Sequence, residues 1–119
     1  MKHSIKVEYN SIVRENESGW DMSNLRTPEV EDLLEVLSSM TDKDALYALF
    51  EDLFTIREIK ETSQRLSVAR LLDDGKPYTA IAEATGASAT TIARVSKALN
   101  YGSGGYRHAL DVLSGSAEG

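Results

Sequence analysis

Residues 79–99 read TAIAEATGASATTIARVSKAL, and this stretch constrains the fold more than any other part of the chain. Two short segments with the apolar spacing of helices meet at Gly86 within it. Glycine accepts the left-handed backbone of a tight turn, which costs a residue with a Cβ more. The stretch therefore predicts two short helices, 78–85 and 88–100, that join at Gly86 and pack on each other.

The second of these segments has two faces of different character. Ile92 and Val95 lie three residues apart and Leu99 comes one turn later, so this side is predicted to dock on Ile81 of the first helix. The opposite side carries small and hydroxyl side chains in its first turn and two cations further along. Ser88 is a candidate helix cap. The outward residues are Ala89, Thr90, Thr91, Arg94 and Lys97.

This pattern favours a DNA-binding helix-turn-helix, in which the first turn of the second helix meets base edges in the major groove. Threonine offers a hydroxyl to bases or phosphates and a methyl group to thymine, and Arg94 can reach a guanine edge or a phosphate. Thr79 and Lys76 would then touch the DNA backbone. The alternative is that the two helices only complete a small helical core, with Arg94 in a surface salt bridge to Glu83.

The rest of the sequence also predicts helices, so the expected fold class is all-α with about six helices. Pro28 after Thr27 indicates one helix start, and Thr55 with Glu58 forms a capping box that opens a helix through about residue 72. The apolar stripe of this long helix includes Ile59, Leu66, Ala69 and Leu72.

Three further signals set the expected helix boundaries. Thr41 with Asp44 resembles a capping box with a shorter acid, and Gly75 is typical of a left-handed helix end. A last helix is predicted over 106–113, with a disordered Gly/Ser tail at 114–119. Residues 1–21 differ in pattern from the rest of the chain and are interpreted either as a flexible arm or as an extension upstream of a natural start at Met22.

Charge and composition narrow the function classes. The net charge is −6, but residues 1–63 hold seven Lys/Arg against fourteen Asp/Glu, whereas residues 64–108 hold six against three. An acidic front and a mildly basic back would let one face approach phosphate. The chain has no cysteine and two histidines and contains no long apolar run, so we expect no cofactor, no metal, no enzymatic activity and a cytoplasmic location.

The segments QRLSVARLLDDGKPYTAIAEATG and GASATTIARVSKALNYG resemble the Trp-repressor superfamily, in particular its YerC/YecD-type TrpR-related proteins. The resemblance covers residues 22–113 and is most specific over 50–100. It implies a helical DNA-binding domain that acts as an intertwined homodimer, in which the N-terminal helices of both chains share one core. Double-stranded DNA is the partner that it implies.

The same resemblance bears on tryptophan. In the repressor, two arginines hold tryptophan beside the recognition helix, and a glycine leaves room for the indole. Aligned through GASATTIAR, Arg94 matches one arginine, whereas Gln64 stands at the other and Val95 at the glycine. A β-branched side chain would occupy the indole space, and Gln64 removes a charge partner for a carboxylate. We therefore expect no tryptophan binding at Gln64, Arg94 and Val95, which leaves a different small effector open.

The sequence thus predicts a sequence-specific, homodimeric transcriptional regulator. Two other functions stay open: a module that keeps the helix-turn-helix shape but docks proteins, and a repressor gated by another small effector. The acidic net charge motivates the first of these alternatives.

Overall fold

The computed structural model describes residues 25–118. These residues form six α-helices and no strand, which confirms the all-α prediction. The predictions for residues 1–21 lie outside the described range. The helices are α1 (Pro28–Ser39), α2 (Lys43–Leu53), α3 (Ile56–Asp73), α4 (Tyr78–Thr85), α5 (Ala89–Tyr101) and α6 (Gly105–Glu118). The chain divides into two compact units, the first ending at residue 52 and the second beginning at residue 53.

The two helices of the first unit begin at side-chain caps. The N–H of Val30 donates to the hydroxyl of Thr27 at 3.3 Å, as the sequence predicts for the start of α1. At the start of α2, the N–H of Ala45 donates to a carboxylate oxygen of Asp42 at 3.2 Å. The predicted cap at Thr41 is therefore wrong by one residue. A charged carboxylate at a helix N-terminus accepts a stronger hydrogen bond than a neutral hydroxyl does, and its negative charge interacts favourably with the positive end of the helix dipole.

The apolar side chains of α1 and α2 stay accessible to solvent. Neither helix contains a buried residue. Large side chains on both helices keep substantial exposure, with 40% for Leu34, 42% for Val36 and 59% for Tyr47. Apolar burial is the main favourable term in folding, so these helices contribute little of it within the described part of one chain.

The second unit has a closed hydrophobic core. Ile81, Ile92 and Val95 are all buried, as predicted for the two segments that meet at Gly86. Val68 on α3 is also fully buried, although it is not among the residues named for the predicted α3 stripe. Helix α3 contacts α4, α5 and α6, so a wide arc of its surface is covered and not one narrow stripe. The buried core residues are Val68, Ala69, Ile81, Ala87, Ile92, Val95 and Leu110.

Helix boundaries in the second unit agree with the sequence except at the C-terminus. Thr55 and Glu58 form the predicted capping box, and Gly75 takes a positive φ of 81° after α3. The sequence predicts an end of the last helix at residue 113 and a disordered tail after it. In the structure α6 continues to Glu118, because serine and glycine weaken a helix without ending it as proline would. No helix of residues 25–118 combines the length and apolar character that a bilayer crossing requires.

Candidate nucleic-acid interface

The turn between α4 and α5 has the geometry that the sequence predicts. Gly86 ends α4 with φ 77°, and its N–H donates to the carbonyl of Ala82 at 2.8 Å. Two residues later, Ser88 caps α5, because its hydroxyl oxygen accepts the N–H of Thr91 at 3.1 Å. The two helices are therefore joined by a short, hydrogen-bonded turn that fixes where α5 begins.

The inner side of α5 anchors this helix to the core. Ile92 has no exposed surface and Val95 is 2% exposed, and Leu99 is half-buried one turn further on. Helix α5 contacts α3, α4 and α6. Because three helices hold the inner side, the direction of the outer side is fixed by the core of the second unit.

The outer side of α5 is open to solvent. Ala89, Thr90, Arg94 and Lys97 are exposed, as is the capping residue Ser88. The spacing of Thr90, Arg94 and Lys97 puts these three on one stripe of the helix, opposite Ile92 and Val95. Of the predicted contact residues on α5, Thr91 alone is half-buried, and its hydroxyl accepts a hydrogen bond from Ser88 at 3.1 Å.

The charges on α5 favour an anionic partner. The helix carries Arg94 and Lys97 and no carboxylate. Neither Arg94 nor Lys97 forms an ion pair within 4.0 Å with Glu83 or with any other carboxylate whose side chain the structure describes, in residues 25–115. The N-terminus of the helix adds partial positive charge from its free N–H groups. Both cations are thus available to phosphate or to a base edge.

The outer stripe extends at its C-terminal end to Tyr101, a residue that is not among the predicted contact residues. This residue comes four positions after Lys97, and its side chain is 85% exposed. Its spacing from Thr90, Arg94 and Lys97 indicates the same side of the helix. Because Tyr101 stands beside Gly102, however, its position in the sequence also fits a loop after the helix. At the start of α4, Thr79 is exposed as predicted, beside Tyr78, which is 44% exposed.

The three residues aligned with the tryptophan site do not form one open pocket. Val95 lies in the hydrophobic core, and Arg94 is exposed on the outer side of α5. Gln64 is half-buried, and its Nε2 donates to the carbonyl of Thr85 at 3.0 Å. An open cleft of about 420 Å³ lies beside Gln64, but neither Arg94 nor Val95 lines it. Its lining residues are Lys60, Ser63, Gln64, Ser67, Ala84 and Thr85.

Comparison with known proteins agrees with this geometry. Residues 28–114 match the family model described as Trp repressor protein. The chain is 44% identical to the uncharacterized protein YerC of Bacillus subtilis (strain 168) over 90 residues, 76% of this chain and 86% of that protein. A TrpR-like protein from Eubacterium eligens ATCC 27750 superposes with a TM-score of 0.74 at 44% identity, covering 77% of this chain and 95% of the other.

A Trp repressor candidate from Staphylococcus aureus superposes with a TM-score of 0.75 at 32% identity, covering 81% of this chain and 96% of the other. The residues matched by the family model include all of α1 to α5, with the turn at Gly86. The chain belongs to the Trp repressor family.

Proposed function

We propose that this protein is a sequence-specific, DNA-binding transcriptional regulator that acts as a homodimer and places α5 in the major groove. The observation that carries the proposal is the division of α5 into two sides. Ile92 and Val95 are buried in the core, whereas the opposite side presents small, hydroxyl and cationic side chains to solvent. A helix held in this way presents its outer residues at a fixed angle, which base recognition requires.

Each part of the outer surface has a proposed role. Ala89, Thr90 and Thr91 face bases from the first turn of α5, where recognition helices usually meet base edges. Arg94 and Lys97 contact bases or phosphate, and the free N–H groups at the helix start add a further phosphate contact. The remaining backbone contacts come from three exposed residues that flank the turn and the start of α4: Lys76, Thr79 and Ser88.

The open apolar faces of α1 and α2 support the homodimer. Val30, Leu33, Leu34 and Leu37 have the three- and four-residue spacing of one helix face, yet none is buried. A second copy of the chain would cover this face and the similar one on α2. Two copies of α5 would then read two half-sites about one helical turn apart in successive major grooves.

Two side chains support independence from tryptophan. Val95 is buried where the repressor's glycine leaves room for an indole, so the space is already filled by the chain. Gln64 stands where the resemblance implies an arginine, and its amide is engaged by the carbonyl of Thr85. Neither group is available to a ligand carboxylate or ring. Operator affinity is therefore expected to stay unchanged when tryptophan is added.

The double substitution Thr91→Glu with Arg94→Ala tests the DNA interface. The first change adds a negative charge beside phosphate, and the second removes a cation. We expect affinity for a selected operator duplex to fall at least about 100-fold at fixed salt, as measured by gel shift. Thr62→Glu with Arg65→Ala, an exposed pair on α3, makes the same change in charge and is the control.

Salt dependence separates this proposal from a protein-docking module. Three cations of each subunit would displace counterions from phosphate: Lys76, Arg94 and Lys97. Six such contacts give a slope of log affinity against log salt of about −5. Intact operator binding by the double variant would overturn the assignment. Absence of any duplex binding by the unchanged protein at physiological salt would favour the protein-docking alternative instead.

A further inference from the structure

The turn between α4 and α5 is held by a concentration of hydrogen bonds around Thr85. The hydroxyl of Thr85 donates to the carbonyl of Ile81 at 2.8 Å and accepts the N–H of Ala87 at 3.1 Å. One residue later, Gly86 takes its left-handed conformation. These bonds make the turn rigid within itself, but they do not attach it to α3.

Attachment to α3 comes from Gln64. The last carbonyl groups of a helix lack intrahelical partners, and the carbonyl of Thr85 is one of these groups at the end of α4. The side-chain amide of Gln64, on α3, donates to this carbonyl at 3.0 Å across 21 positions of sequence. The bond is partly buried, so water competes poorly for it.

The glycine of the turn fits the same arrangement. A Cβ at Gly86 would have Gln64 Nε2 as its nearest neighbour, 3.9 Å away. The amide of Gln64 therefore lies directly beside the turn residue. This places the hydrogen bond at the pivot between α4 and α5, where a small shift would move the whole of α5.

The apolar core cannot set this pivot alone. Val68, Ile81 and Ile92 hold the helices together, but apolar attraction is non-directional and tolerates small rotations. A hydrogen bond weakens steeply when its angle or length changes. The amide of Gln64 therefore supplies the directional constraint between α3 and the turn.

We propose that Gln64 is a positioning residue for DNA recognition: its amide fixes the turn at Thr85 and Gly86 to α3 and so orients α5 without a bound effector. This inference rests on the proposed DNA-binding function. In this proposal the side chain of Gln64 binds the carbonyl of Thr85 within the same chain. Alignment with the repressor alone would give this position a role in binding a ligand.

The test compares Gln64→Met with the unchanged protein on a duplex selected from a random pool and on a scrambled duplex at the same salt. Methionine keeps the length of glutamine and removes the donor. Ser67→Ala, one turn further along α3 in the same cleft, is the matched control. Failure of the unchanged protein to bind any selected duplex would overturn the proposed function, which is a separate outcome.

We expect Gln64→Met to weaken binding to the selected duplex about tenfold, the effect of one lost hydrogen bond to a partly buried carbonyl. Binding to the scrambled duplex should stay within about twofold, because the phosphate-contacting cations are untouched, and Ser67→Ala should stay within about twofold on both duplexes. Amide hydrogen exchange at Gly86 and Ala87 should accelerate in Gln64→Met alone.

Two results would overturn the inference. The first is unchanged affinity of Gln64→Met for the selected duplex. The second is loss of the helical circular-dichroism signal of Gln64→Met at the assay temperature, because Gln64 would then be maintaining the fold and not orienting α5. Gln64→Glu adds a second check: an ionised carboxylate cannot donate to the carbonyl of Thr85, so this variant should lose affinity at least as much as Gln64→Met.

Discussion

The two units of this chain use similar helices in different ways. In the second unit, α3 to α6 close a core whose central side chains, Val68, Ile81 and Ile92, have no exposed surface. In the first unit, α1 and α2 bury none of their residues. Residues 25–52 contain eight carboxylates and only two cationic side chains. The second unit therefore completes a candidate recognition surface within one chain, whereas the apolar faces of the first remain open to a second copy.

The largest expected effect is in the closed core. Ile92→Ala leaves a cavity at a fully buried position of α5 in the hydrophobic core, and should lower the free energy of unfolding by about 2–5 kcal/mol. Val112→Ala on α6, where the side chain is 55% exposed, is the control and should change it by less than about 0.5 kcal/mol. Urea unfolding followed by circular dichroism measures both free energies of unfolding. An equal decrease in the two variants would contradict the assignment of Ile92 to a closed core.

The next effect tests the open face of the first unit. Leu34→Glu puts a charge on the apolar face of α1 and should raise the dissociation constant of the dimer by about tenfold or more. Val36→Glu makes a similar change about half a turn away around the same helix and should leave the dimer largely intact. Light scattering over a concentration series measures the stoichiometry. Equal masses for Leu34→Glu and the unchanged protein at every concentration would contradict a dimer through this face.

A smaller effect tests the turn of the second unit. Gly86→Ala forces a residue with a Cβ into φ 77° and should lower the free energy of unfolding by about 1–2 kcal/mol. Gly105→Ala, at the first position of α6 with open space around it, should be neutral or slightly stabilising. Thermal unfolding of the two variants compares them directly. A Gly86→Ala protein as stable as Gly105→Ala would show that the left-handed turn is not required.

The smallest effect concerns the end of the outer stripe on α5. Tyr101 is 85% exposed, so Tyr101→Ala should leave the melting temperature unchanged. If the stripe lies along DNA, loss of the aromatic ring and its hydroxyl should weaken binding to selected and scrambled duplexes alike, by about threefold. Fluorescence anisotropy on both duplexes measures this. A change confined to the selected duplex would instead give Tyr101 a role in base recognition.

Local signals in the sequence predicted much of the second unit. Gly86, the cap at Ser88 and the buried faces through Ile81, Ile92 and Val95 can all be inferred from spacing and side-chain type over fewer than about twenty residues, and the structure bears them out. Such features depend on neighbours that are close in sequence. The same reasoning predicted that five residues of α5 face solvent. Four of them are exposed in the structure, and the fifth, Thr91, is half-buried.

Tertiary contacts account for what the sequence did not predict. Val68 is buried because three helices surround α3, whereas periodicity identifies a single covered side of a helix. The bond between Gln64 and the carbonyl of Thr85 joins positions 21 residues apart, and no local pattern indicates it. The cap of α2 is a local exception: the carboxylate of Asp42, a stronger acceptor than the hydroxyl of Thr41, receives the N–H of Ala45 three residues later.

Selection of bound sequences from a random duplex pool tests the proposed recognition by α5 most directly. The unchanged protein should enrich a near-palindromic site whose half-sites lie about one helical turn apart, as two copies of α5 in successive major grooves require. The variant with Thr91→Glu and Arg94→Ala should enrich no motif from the same pool. A pool that shows no enriched motif with the unchanged protein, or the same motif with both proteins, would contradict recognition of DNA by α5.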